Sequence, residues 1–190
     1  MKKIVLIRHA RVDINNSTTF YAYELQEWIK QYNKANIDTQ NRPSQKLIGM
    51  AKNADFILSS NLKRAIDSAL VLGVKPMEKN EIFNELPIPN IKVPLLKFKP
   101  KTWLIIFRIA MLLSIKRENK SLTSAKNQAS IAAQYLNNLS KKHNNIILIG
   151  HGGMHWLTQK ALQEKGWEIE GKSSYKNWGT VKLKLLTQAR

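Results

Sequence analysis

The sequence predicts a three-layer α/β/α sandwich around a largely parallel central sheet, and two features of its 190 residues carry that prediction. Short, continuously apolar runs alternate with longer stretches in which apolar residues recur at helical spacing. Strands that are apolar at every position are buried on both faces, so helices must cover both sides of the sheet. At 43% hydrophobic, the chain can bury one substantial core, and a single domain spanning 1–190 is expected.

Strands are expected at 3–7, 55–59, 145–149 and 181–186, the last alternating apolar with basic residues. Helices are expected at 20–32, at 62–72 (with Leu62, Ile66, Ala69 and Leu70 near helical spacing), at 122–139 with Ser121 as cap, and from 154 to about 163. In parallel α/β sheets the chemistry lies beyond the carboxyl ends of the strands. Arg8-His9 follows the first strand, Ser60-Asn61-Leu62-Lys63-Arg64 the second, and Gly150-His151-Gly152-Gly153 the third. All open onto one edge if the strands are parallel, and there two arginines and two histidines converge.

The segment 86–120 breaks the alternation. It carries Pro87, Pro89, Pro94 and Pro100, then an apolar run at 102–115 that contains Arg108 and is flanked by Lys97, Lys99 and Lys101 and by Lys116, Arg117 and Lys120. The run is too short to span a bilayer. It is expected to be an insert over the active edge, with Trp103, Ile106, Phe107, Ala110 and Leu113 folding down as a lid. Its alternative use is contact with an anionic membrane surface through 97–120.

The absence of cysteine removes disulfides and thiolate chemistry and fits a reducing compartment. Lys2 and Lys3 lead into only a short apolar stretch with no small-residue cleavage site, so the expected location is cytoplasmic, at most peripheral to the membrane. The net charge of +18, from 31 Lys plus Arg against 13 Asp plus Glu, attracts anions. No zinc-finger spacing, RNP sequence or basic zipper is present, so nucleic acid is not the expected partner, and a basic nucleic-acid-binding protein remains the non-enzyme alternative. Two guanidinium forks beside two imidazoles form instead a receptor for a compact dianion such as phosphate. A helix starting at Gly152 or Gly153 would add backbone N–H groups and the positive end of its dipole.

The residues at these tips also carry a family resemblance. Leu6-Ile7-Arg8-His9-Ala10, with Asn15 six positions after His9, resembles the RHG-T-N signature of the histidine phosphatase superfamily, the phosphoglycerate-mutase-like fold. Ser59-Ser60-Asn61-Leu62-Lys63-Arg64-Ala65 resembles its SSPLxRAxxTA motif, Asn84-Glu85-Leu86 the segment bearing its proton donor, and Ile149-Gly150-His151-Gly152-Gly153 its second-histidine motif. The motifs occur in the family's order and cover most of the chain.

The resemblance implies a metal-independent phosphomonoesterase without cofactor, acting on a phosphorylated small molecule. His9 would be the nucleophile that forms phosphohistidine. Arg8, Arg64 and His151, the last best as a cation, would hold the phosphoryl oxygens, with Gly152 beside them. Glu85 would protonate the leaving oxygen and then activate water, and Asn15 would contact substrate or phosphate. A neutral imidazole suits attack, since its unperturbed pKa of about 6.5 leaves a lone pair near neutral pH. The modest length favours a hydrolase over a phosphomutase. Small soluble esters, α-ribazole phosphate-type intermediates and lipid-linked phosphates are the candidate substrates, and the oligomeric state is open.

Departures from the pattern are Ala10 for Gly, Arg11 and Val12 where Glu and Thr are common, and Asn61 for Pro. Several residues have plainer rivals or readings. Lys63 could replace Arg64 as the active cation, and Glu78 or Glu81 could replace Glu85. His151 and His155 lack the intervening Glu of a zincin helix, so no metal is expected. His143 reads as an exposed loop residue, and Trp156, Trp167 and Trp178 as core or turn aromatics.

Overall fold

The structure, a computed structural model, describes residues 1–86, 96–113 and 120–186. Its strands are β1 (Lys3–Arg8), β2 (Phe20–Tyr21), β3 (Phe56–Ser59), β4 (Glu78–Lys79), β5 (Lys97–Phe98), β6 (Asn145–Gly150), β7 (Trp167–Ile169) and β8 (Thr180–Leu185). Its helices are α1 (Leu25–Lys34), α2 (Gln45–Lys52), α3 (Lys63–Val71), α4 (Pro100–Leu113), α5 (Lys120–Leu139) and α6 (Gly152–Gln163). The main sheet has the order β4-β3-β6-β1-β8-β7. The pairs β4–β3, β3–β6 and β6–β1 are parallel, while β8 runs antiparallel to both β1 and β7. The three strands that carry the sequence motifs therefore end at the same edge.

Side-chain alternation along β1 and β6 divides the core in two. On one face Ile4, Leu6, Leu58, Ile146 and Leu148 pack against α5 and α6, through Ala125, Ala129, Ala132, Ala133 and Leu136 of the first and Met154, Leu157 and Leu162 of the second. The small alanines of α5 let the two helices lie close together. On the other face Val5, Ile7, Ile57, Ile147 and Ile149 meet Leu47 and Ala51 of α2 and Ala65 and Ala69 of α3. This is the three-layer sandwich read from the apolar runs.

Several elements depart from the sequence reading: the short strands β4 and β7 have no counterpart in it, and α5 begins at Lys120, which puts Ser121 inside the helix and not at its cap. The helix expected at 20–32 begins only at Leu25, because Phe20–Tyr21 pairs antiparallel with Lys97–Phe98 in a separate ribbon and Ala22–Glu24 forms a single 3-10 turn. The partner of that ribbon lies far along the chain, where local periodicity carries no trace of it. Helix α2 was not expected; it is only eight residues long, begins on a Ser44 cap that accepts from Leu47 N at 3.3 Å, and is too short to display a period.

The insert contributes β5 and α4. Trp103 and Phe107 of α4 are buried in a third cluster with Phe20, Ala22, Leu25 and Trp28, and Ile106 packs against it. The Trp103 indole donates to the Phe20 carbonyl at 2.8 Å. Helix α4 thus rests on α1 and the β2–β5 ribbon. Pro87, Pro89, Pro94 and the stretch 114–119 lie outside the described residues, as do the side chains of Ala110 and Leu113. Among the described residues no helix is long and apolar enough to cross a membrane.

Leu6 is fully buried between β1 neighbours and the α5–α6 layer. Its truncation to Ala should destabilise the protein by about 2 to 5 kcal/mol. Urea unfolding followed by circular dichroism measures that loss as a lower midpoint at unchanged slope.

Candidate active site

The site begins with the register of β1 on β6, in which Arg8 stands opposite Gly150. The chain leaves the sheet immediately afterwards, and His9 N donates to the Gly150 carbonyl at 3.0 Å. His9 is 2% exposed, and its Nδ1 lies 2.6 Å from the Ala10 carbonyl oxygen. A carbonyl can only accept, so Nδ1 carries the proton and Nε2 keeps its lone pair. Ala10 N donates to Ser68 Oγ at 2.8 Å, and Ser68 Oγ donates to the Arg64 carbonyl at 2.5 Å. Helix α3 is thereby tied to the residue after the histidine.

Arg64 stands in the first turn of α3 and is 4% exposed. One terminal nitrogen donates to Asn33 Oδ1 at 2.7 Å, and its guanidinium carbon lies 4.8 Å from the centre of the Tyr32 ring. Its Nε is buried with no hydrogen-bond partner among the described residues. The rival Lys63 is exposed and paired with Asp67 one helical turn on.

His151 caps α6 at the end of β6 and is fully buried. Its ring centre is 5.1 Å from that of His9, the planes tilted by 58°. Nε2 lies 2.7 Å from Ser60 Oγ, while Nδ1 is buried and unpartnered among the described residues. Gly152 follows, buried, where an added methyl would sit 3.5 Å from Arg8 Cδ. The Arg8 guanidinium donates to the Tyr175 carbonyl at 2.6 Å.

Glu85 reaches the same place from the other side. Its Oε1 accepts from Met154 N at 3.1 Å and from Leu86 N at 3.2 Å, seating the carboxylate on the first turn of α6. A Cβ at position 153 would come within 2.8 Å of that oxygen, which explains the glycine there. The rivals are engaged elsewhere: Glu78 accepts from the Tyr135 hydroxyl and from Asn80, and Glu81 is exposed in a 3-10 turn. Asn15 is exposed, and its Oδ1 accepts from Ser17 N and Ser17 Oγ at 2.8 and 2.6 Å; those bonds build a local turn and do not run to the cluster.

Electrostatics inside the site oppose further positive charge. Burial first, then Arg64 and Arg8, hold the His9 imidazole well below its ordinary pKa. Burial, then Arg64 and His9, do the same to His151. Both rings are thus held toward the neutral form by burial and by the neighbouring guanidinium groups. A dianion between Arg8, Arg64 and the two rings would reverse the local potential and favour the charged form. His155, packed against Gly150, is pushed down to about 3 by burial and by Arg8. His143 lies against Phe56 with ring centres 4.7 Å apart and planes tilted by 43°.

Sequence reasoning did not single out Tyr32, Asn33, Ser60 or Ser68. Ser60 lay inside a quoted motif, and Ser68 stands one helical turn after Arg64. Tyr32 and Asn33 have no local signal, because they reach Arg64 only through the packing of α1.

The lowered histidines set a pH dependence. The unfolded chain takes up protons near pH 6.5 while the folded one does not, so stability is full above that pH and declines as pH falls below it. Each such imidazole contributes a slope of about 1.4 kcal/mol per pH unit. Denaturant titrations between pH 7.5 and 5 should show the decline, and a His155→Met variant should show a slope shallower by about one proton.

Comparison with protein-family models finds no match, and neither does comparison with curated proteins. Solved structures do match. A variant of the phosphoserine phosphatase of Entamoeba histolytica in complex with phosphoserine aligns at 17% identity over 96% of this chain and 90% of its own, with a TM-score of 0.59. The same enzyme in complex with 3-phosphoglyceric acid aligns at 19% identity over 96% and 90%, with a TM-score of 0.56. A protein of Escherichia coli K-12, provisionally assigned as an alpha-ribazole-5'-P phosphatase, aligns at 11% identity over 84% and 78%, with a TM-score of 0.50. Together with the strand order, these alignments establish that the chain has the phosphoglycerate-mutase-like fold.

Proposed function

We propose that this protein belongs to the histidine phosphatase superfamily and is a metal-independent phosphomonoesterase working through a phosphohistidine on His9. The observation that carries the reading is the meeting of Arg8, His9, Arg64, His151 and Glu85, drawn from four distant segments, at the N-terminus of α6. The unpartnered Arg64 Nε and His151 Nδ1 support it, since phosphoryl oxygens would satisfy both.

In the proposed reaction His9 Nε2 attacks phosphorus while its Nδ1–H stays on the Ala10 carbonyl. The bond from phosphorus to the ester oxygen breaks as Glu85, in its acid form, gives that oxygen a proton. Arg8, Arg64 and His151 stabilise the charge on the three non-bridging oxygens, the role that metal ions fill in other phosphoryl-transfer enzymes. Water, deprotonated by the Glu85 carboxylate, then attacks the phosphohistidine and releases phosphate. The same carboxylate serves both steps because α6 holds it beside the phosphoryl site.

The wild-type protein should hydrolyse p-nitrophenyl phosphate in excess EDTA, and His9→Ala should abolish turnover; EDTA-resistant activity in that variant would refute the mechanism. Arg64→Ala should lower kcat by about a hundredfold to a thousandfold, the loss of one charge-stabilising donor. A panel of phosphoserine, 3-phosphoglycerate, α-ribazole phosphate and lipid-linked phosphate esters separates the substrate classes, and product analysis separates hydrolase from phosphomutase.

The insert carries a second reading, in which 97–120 rests on an anionic membrane surface and brings the site to its substrate. Ile105 and Ile109 are 57% and 50% exposed on the α4 face opposite Trp103 and Phe107, and Leu96 and Tyr23 are exposed near Lys97. Each basic residue near such a surface contributes on the order of 1 kcal/mol. The protein should then sediment with vesicles containing phosphatidylserine at low salt and not with neutral vesicles; if it stays in solution with both, this reading fails.

A further inference from the structure

We infer that the loop 174–179, which precedes β8, is a clamp that sets the nucleophile, and that Asn177 is its positioning residue; the inference rests on the phosphatase reading of the site. At Arg8 and His9 the loop adds its own hold to that of the sheet. Arg8 N donates to the Gly179 carbonyl at 3.0 Å, and Trp178 N donates to the Arg8 carbonyl at 3.1 Å. The Arg8 guanidinium donates to the Tyr175 carbonyl at 2.6 Å, and Asn177 Nδ2 donates to the His9 carbonyl at 2.9 Å.

The last of these bonds acts on the imidazole through a single peptide plane. The His9 carbonyl and Ala10 N–H belong to one rigid amide. Asn177 holds its oxygen, and Ser68 Oγ holds its nitrogen at 2.8 Å. That plane orients Ala10, whose own carbonyl takes the His9 Nδ1–H at 2.6 Å and so leaves Nε2 as the attacking atom. Loss of the Asn177 donor frees the plane to rotate and loosens the ring.

The loop is built under strain for this grip. Trp178 has φ 59°, a left-handed conformation that is rare for a bulky side chain and tends to persist where surrounding contacts over-determine it. Those contacts are present. Its indole donates to the Asn41 carbonyl at 2.7 Å, and Asn41 Oδ1 accepts from Arg11 N at 2.9 Å, so the loop also reaches the residues after His9. Gly179 N closes the turn on the Lys176 carbonyl at 2.7 Å, and a Cβ at 179 would collide with the Ser174 carbonyl at 2.5 Å. The Tyr175 hydroxyl bonds Gln159 of α6, the helix that His151 caps. One loop therefore couples the strand that ends in the nucleophile to the helix that begins at its partner.

The test compares Asn177→Ala and Asn177→Asp with wild type. Asp fills the same space but cannot donate to the His9 carbonyl, so a packing role would tolerate it and a donor role would not. Both variants should fold with melting temperatures near wild type. Their kcat for p-nitrophenyl phosphate should fall about tenfold to a hundredfold, the consequence of a misplaced reacting group. KM should move by less than about threefold, since ground-state binding is not what the bond supplies. Nitrogen-15 spectra of the His9 imidazole should change from one Nδ1–H tautomer to an exchanging pair. An Asp variant that keeps kcat within about twofold of wild type together with the single tautomer would overturn the clamp. If the wild type itself hydrolyses no phosphomonoester, the phosphatase reading fails separately, while the imidazole spectra of the folded variants still decide the clamp.

Discussion

Arg8 stands opposite Gly150 because β1 pairs with β6 in one register, and nearly every relation in the site descends from that pairing. It places His9 one residue beyond the last rung and His151 one residue beyond its partner, with the ring centres 5.1 Å apart. A shift by one residue would turn Ile4 and Leu6 away from the α5–α6 layer and would move the core and the site together. The register is held by apolar burial on both faces of the sheet. The geometry of the polar cluster is therefore enforced by residues that take no part in its chemistry.

The cluster itself is costly. Two guanidinium groups and three imidazoles occupy one buried edge, and burial is the first cause of every lowered pKa among His9, His151, His155 and Arg64. The fold tolerates this by holding the imidazoles toward the neutral form and by placing the Glu85 carboxylate near Arg64. Excess positive potential around the buried Arg64 Nε, which has no hydrogen-bond partner among the described residues, is the condition that a phosphate dianion relieves. Under the proposed chemistry the same neutrality keeps the His9 lone pair available at physiological pH.

The described part of the insert is linked to the site through α1. Trp103 and Phe107 of α4 pack with Phe20, Leu25 and Trp28, which settles α1. Helix α1 ends near Tyr32 and Asn33, and these two receive the Arg64 guanidinium.

Local pattern made the apolar strands, most of the helices and the residues at the strand tips legible, because strand burial and helical periodicity are written within a few turns of chain. Arg8, His9, Arg64 and His151 could be read there, and Glu85 could be preferred to Glu78 and Glu81 by its position after 77–83 and before Pro87. What the local pattern could not carry was any relation closed by distant residues: the β2–β5 ribbon that delays α1, the seat of Glu85 on Met154 N, the hold of Asn33 on Arg64, and the grip of Asn177 on the His9 carbonyl. The pull of His151 toward the neutral form belongs to the same class, since it arises from burial and from charges brought near only by folding. The sequence by itself determined which residue types stand at the ends of which strands; tertiary structure decided their distances, tautomers and charges, because those depend on groups that meet only when the sheet is paired and its helices are packed.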